Sequence, residues 1–97
     1  MDETTENKRL HVLFMVIHTH DYKTCGAHIP EVSGALKELT KNKDGNKIRI
    51  VAAYGNRLEH KLFMIIEADR MEDIDAHFDP VLEIGNYDIT PIMARDT

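Results

Sequence analysis

The sequence predicts one α+β domain built from four strands and two helices in the order β-α-β-β-α-β. Three observations carry this reading. Short runs rich in Val, Ile and Phe recur along the chain, two stretches between them space their apolar residues as helices do, and Pro, Gly and Asn punctuate the joins. A chain of 97 residues accommodates one hydrophobic core.

The elements follow in order. Residues 1–9 are polar and form a flexible tail, leaving 10–97 as the domain. Leu10–His18 is a first strand, apolar on both parities. Residues 19–27 form a loop, and a helix begins at His28 with Pro30 in its first turn, where a missing N–H is harmless. Ile29, Val32, Leu36 and Leu39 lie along one face of that helix. The polar stretch Lys41–Asn46 turns at Asp44-Gly45. Lys47–Tyr54 is a second strand, Gly55–Glu59 a hairpin tip, and His60–Ala68 a third strand. Asp69 and Glu72 have the spacing of a capping box, so a second helix is expected from there, with Ile74, Phe78, Val81 and Leu82 as its apolar stripe. Pro80 should kink or shorten it, because it removes a hydrogen bond and clashes with the carbonyl of Ala76. Gly85-Asn86 stops the helical region, and Tyr87–Met93 closes the domain as a fourth strand.

This order matches the ferredoxin-like split βαβ plan, a two-layer sandwich whose antiparallel sheet runs 4-1-3-2. The apolar strands 1 and 3 suit its centre. Lys47 and Arg49 mark strand 2 as an edge, and Pro91 does the same for strand 4.

Composition narrows the function. Seventeen acids against twelve bases give a net charge of −5, which argues against a nucleic-acid partner. The longest apolar run, Val12–Ile17, falls far short of the ~20 residues a membrane-spanning helix needs. The acidic opening lacks the basic start of a secretory signal. A single cysteine, Cys25, rules out an intrachain disulfide and suits a reducing compartment, so cytoplasmic residence is expected.

Two helices cover only one face of a four-stranded sheet. Yet strand 1 carries Val12, Phe14 and Val16 on one parity and Leu13, Met15 and Ile17 on the other. Strand 3 repeats this, with Leu62, Met64 and Ile66 against Phe63 and Ile65. Antiparallel sheets with one wet face normally alternate cleanly. A second copy laid sheet to sheet, burying on the order of 1,500 Å2 in total, is therefore expected.

The β-α-β-β-α-β order with two-faced central strands resembles the dimeric α/β-barrel superfamily, across roughly residues 10–95. That superfamily includes antibiotic-biosynthesis-type monooxygenases, haem-degrading enzymes and muconolactone isomerases. The segments Leu13–His20 and Tyr87–Met93 look most like those of members without an assigned activity. The resemblance implies a barrel-like homodimer. It transfers no catalytic motif, and a haem held by a histidine would follow from it by analogy alone.

Chemistry gathers at one end of the predicted sheet. Strand 1 ends at His18 with His20 beyond it, the first helix begins there with Cys25 and His28 nearby, and strand 3 starts there with His60. His18, His20, Cys25, His28 and His60 are thus candidate ligands for a transition-metal ion, zinc, copper, nickel or iron, since imidazole and thiolate suit these metals. Such an ion could act on a small-molecule ligand as a Lewis acid or redox centre. The rival is a metal-free enzyme in which His18 or His60 takes a proton from a small organic substrate while Asp21 or Tyr54 orients the base or donates to the developing anion. A third reading is a dimeric interaction protein without chemistry.

Overall fold

The computed structural model describes residues 12–21, 23, 25 and 29–95. The elements are β1 (Val12–Thr19), α1 (Pro30–Leu39), β2 (Ile48–Asn56), β3 (Lys61–Ala68), α2 (Met71–Phe78) and β4 (Asn86–Ile92), with a 3-10 segment at Asp79–Ile84 between the last two. The chain is α+β and compatible with a ferredoxin-like fold. All three strand pairings are antiparallel, and the sheet order is β2-β3-β1-β4, which reads 4-1-3-2 from the other edge.

Alternation decides the layers. Phe14, Val16 and His18 of β1 are buried, as are Met64, Ile66 and Ala68 of β3 and Ile48 and Ile50 of β2. These side chains form the core with Leu39 of α1, Ile74 and Phe78 of α2, and Val81. Val16, Ile66 and Ile74 are 0% exposed, so cutting any of them to alanine would cost about 2–5 kcal/mol for the longer side chains. The opposite face carries Leu13, Met15, Ile17, Phe63 and Ile65, all only partly buried. No helix of the described residues covers it.

Local chemistry sets the element ends. Pro30 is at the start of α1, and the Ile29 N-cap supplies no side-chain bond. The helix closes where Thr40 donates its backbone N–H to Leu36 and its hydroxyl to Lys37. Gly45, at φ +79°, makes the turn expected at Asp44-Gly45. Asn42 then clamps the outer edge of β2: its amide accepts from the Ile50 N–H at 2.6 Å and donates to the Ile50 carbonyl at 3.1 Å. That occupies part of an edge otherwise open to pairing. Helix α2 ends at Phe78, just before Pro80, as a proline ring requires. Pro91 sits in the edge strand β4, where a missing donor is tolerated.

Two local expectations need correction, and β2 adds an irregularity. The capping box at Asp69 and Glu72 does not form: α2 begins at Met71 after an Arg70 N-cap without a side-chain bond, and the Arg70 guanidinium instead pairs with Asp73 at 3.2 Å. Helix α1 begins at Pro30, not His28, because proline suits the first helical position and disfavours a helical residue before it. Finally, β2 carries a bulge: Ile50 faces Ile66 but Ala52 faces Ile65, leaving Val51 as the extra residue. Beyond the bulge the two parities exchange faces.

Candidate metal centre

The centre forms where β1 ends beside the turn that enters β3. Asn56 builds that turn, its side-chain oxygen accepting from the N–H groups of Leu58 and Glu59 at 3.1 and 3.2 Å. The chain then passes through His60 at φ +57°, the left-handed region. Among residues other than glycine, histidine is one of the types enriched there. The His60 N–H donates to the Arg57 carbonyl at 3.2 Å, and the His60 carbonyl accepts from the His20 N–H at 3.0 Å. That last bond ties the first residue beyond β1 to the residue before β3. Asp21 accepts from the Lys23 N–H at 2.8 Å, turning the chain on toward Cys25.

One ligand atom each from His20, Cys25 and His60 falls within 4.8 Å of the others. Nitrogen and sulfur ligands on a tetrahedral zinc stand about 3.3–3.6 Å apart, so small side-chain rotations would close the group on an ion. Cys25 is 5% exposed. Both ring nitrogens of His20 and Nδ1 of His60 are shielded from solvent without a hydrogen-bond partner. Buried polar atoms are normally satisfied, and leaving one unpaired costs roughly 1–3 kcal/mol. The His20 and His60 rings meet edge to face with centroids 5.3 Å apart.

His18 stands beside this group. It is 0% exposed and its ring centroid lies 5.0 Å from that of His20. A carbonyl only accepts, so Nε2 carries the proton and donates to Ile84 at 3.2 Å. Nδ1 is left as a buried acceptor without a partner. Tyr87 stacks on the His18 ring at 5.0 Å and donates its hydroxyl to the Val81 carbonyl at 2.7 Å. Burial pushes that phenol up to about 12. Gly85 completes the pocket. A Cβ there would overlap the His18 ring and come within 2.8 Å of the Thr19 carbonyl oxygen. Its φ of 167° is ordinary extended backbone, so space and not conformation demands glycine.

Burial lowers the basicity of His18, partly offset by the Ile84 bond. His20 is lowered by burial first, then by the positive charges of His18 and His60, with Asp21 opposing. Both imidazoles are therefore biased toward the neutral form in which they can bind a metal.

His20 and Cys25 also form part of the wall of a cleft of about 450 Å3. An ion held by three protein ligands keeps one position free, and a cleft of this kind gives a small molecule a way to reach it.

The five candidate ligands thus divide. His20, Cys25 and His60 come together; His18 backs His20 from inside the core; His28 lies outside the described residues, as does His11. His77 belongs elsewhere, donating Nε2–H to the Leu39 carbonyl at 2.8 Å and joining α2 to the end of α1. Of the residues proposed to assist a histidine base, Asp21 is exposed near His20, but Tyr54 is 71% exposed in register with Phe63 on the face away from the helices. The bulge accounts for that placement: strict alternation from Ile48 and Ile50 would have put Tyr54 on the core side. Sequence reasoning also missed Gly85 as the residue that admits the His18 ring, having read it only as a helix stop.

No family model matches the chain, and neither does any curated protein or solved structure.

No helix among the described residues is long and apolar enough to cross a membrane.

Proposed function

We propose that this protein binds a transition-metal ion through His20, Cys25 and His60. One observation carries the reading: three ligand atoms of suitable type converge within 4.8 Å while the His20 nitrogens and His60 Nδ1 are shielded and unpartnered. An ion would satisfy one nitrogen of each ring it ligates. The strained backbone at His60 adds support, because such conformations persist where the surrounding structure enforces them and gather at functional sites. A thiolate with two imidazoles suits zinc, copper, nickel or iron, and three ligands beside a cleft suit an ion that acts on a small molecule. A reducing compartment such as the cytoplasm would keep the free Cys25 available.

The test is metal analysis of protein purified without a histidine tag, before and after loading with zinc. About one equivalent per chain is expected. Cobalt loading should give a thiolate-to-metal absorption band that Cys25→Ser abolishes. Metal content near zero after loading would overturn the proposal.

The ferredoxin-like layers are further proposed to pair, open face to open face, as a homodimeric α/β barrel. Leu13, Met15, Ile17, Phe63 and Ile65 supply the apolar surface, and a stable interface buries about 1,200–2,000 Å2 in total. Light scattering at micromolar concentration should return twice the 11.1 kDa chain mass; a monomer mass would reject the dimer.

A further inference from the structure

Among the described residues, the cleft beside His20 and Cys25 is lined by cations and by no carboxylate. Lys37 comes from α1, Arg57 from the β2–β3 turn and Lys61 from the start of β3. Asp and Glu are absent from its described lining, although the chain carries 17 acids against 12 bases. Among the described residues, none of these three cations joins the ion pairs that engage other surface bases, such as Lys41 and Lys43 on Glu38 or Arg49 on Glu67. Neighbouring clefts differ. The one between the helices mixes Glu38, Asp44 and Asp73 with Lys43 and Lys47. The one on the other side of His20 carries Asp21 and Glu83. The cationic cleft also has an apolar part, from Leu36 and Leu62, with no side chain at Gly55.

We propose that this cleft binds a small organic anion with an apolar body, of the aryl or alkyl carboxylate class. Charges of one sign in a cleft with apolar walls raise the local concentration of the opposite ion. Arg57 offers the planar fork that grips a carboxylate in two bonds, and the lysines add point charges. Leu36 and Leu62 receive the apolar body. A volume of about 450 Å3 lies within the range of small-molecule sites. Because His20 and Cys25 share this wall, the bound anion reaches the open position of the ion; that last contact rests on the metal reading, whereas the grip of the cations does not.

Calorimetric titration of the full chain, metal-free and zinc-loaded, with benzoate and with its neutral counterpart benzamide tests the proposal. Saturable benzoate binding is expected in both forms, several-fold tighter with zinc, and at least tenfold tighter than benzamide. Lys37→Gln with Arg57→Gln should weaken benzoate about tenfold or more. Gly55→Val places a side chain in the cleft, with nothing nearer to its Cβ than the Lys61 carbonyl oxygen at 3.9 Å. It should abolish benzoate binding and leave the zinc stoichiometry unchanged. Absence of saturable binding, equal affinity for benzamide, or benzoate affinity undiminished in both variants would overturn the inference. Equal benzoate affinity with and without zinc would overturn the contact with the ion. Zinc at one per chain with no benzoate binding sinks this inference alone; charge-dependent benzoate binding in a chain that takes no metal sinks the metal reading alone.

Discussion

Exchanging His60 for glycine removes a proposed ligand without dismantling the turn that presents it. At φ +57° an L-residue pays about 1–2 kcal/mol that glycine does not. Against this stand roughly 0.5–1 kcal/mol of extra chain entropy for glycine and about 0.5–1 kcal/mol for the lost edge-to-face contact with His20. The two backbone bonds at this residue survive, since neither uses the side chain. The metal-free variant should therefore unfold within about 1 kcal/mol of the parent. Zinc separates them. At a free concentration one hundred times Kd a ligand adds about 2.7 kcal/mol, which in a domain of this size raises Tm by roughly 10–20 °C. Thermal scans with and without zinc should show that rise in the parent and only a few degrees in His60→Gly. A full zinc-induced rise in the variant would refute the role of His60 as a ligand. A metal-free Tm lower by more than about 10 °C would instead make the ring part of the folding core.

Gly85→Ala should destabilise the chain by about 1–3 kcal/mol, since its methyl group collides with the His18 ring, itself in contact with Tyr87 and His20, and with the Thr19 carbonyl; urea unfolding midpoints measure this, and an unchanged midpoint would remove Gly85 as the determinant of that pocket. For pH, the lowered values of His18 and His20 mean that below about 6.5 the unfolded chain takes up protons that the folded chain resists. Their contribution is complete above pH 7 and lost as pH falls toward the depressed folded values. Metal-free protein should accordingly show a lower urea midpoint at pH 5.5 than at pH 7.5, and a midpoint that rises on acidification would contradict the burial assigned to these rings. Phe63→Glu, on the open face beside Ile17, should give a folded monomer by light scattering; a dimer mass retained by the variant would place the interface elsewhere.

Much of the fold was legible because apolar patterning and proline chemistry are local. Apolar residues on both parities of Val12–Ile17 mark a central strand without reference to anything distant. Pro30 and Pro80 bound the helices by sterics alone. The convergence of His20, Cys25 and His60 was legible as topology, from which ends of which strands must adjoin. What the sequence hid depended on single backbone events. Asn56 caps a turn that lasts through His60, so His60 lies in a left-handed turn position and not in the strand that was expected to begin with it. His18 and His20 share a side as the spacing requires, yet only His20 joins the cluster. The His18 ring is drawn instead to Ile84 and Tyr87, partners 66 and 69 residues away in sequence that no local rule identifies.

The bulge at Val51 links the two proposals to one local irregularity. In an unbroken strand Tyr54 would have faced the helices and Gly55 the open side. With the extra residue, Tyr54 turns outward beside Phe63 and Gly55 lies opposite Leu62 on the side of the cleft. An aromatic side chain is thereby replaced by a hydrogen near the wall that carries His20 and Cys25, and space remains for a ligand. Bulges re-aim side chains next to functional sites in just this manner. Deleting Val51 removes the extra residue and keeps the pairing beyond it: Ile50 still faces Ile66 and Ala52 still faces Ile65, so Tyr54 stays outward and Gly55 stays on the side of the cleft. The deletion variant, provided its circular dichroism shows a folded chain, should therefore keep both zinc and benzoate binding, whereas Gly55→Val loses the second. A folded deletion variant that loses both would show that the bulge acts on these sites through more than the parity it sets.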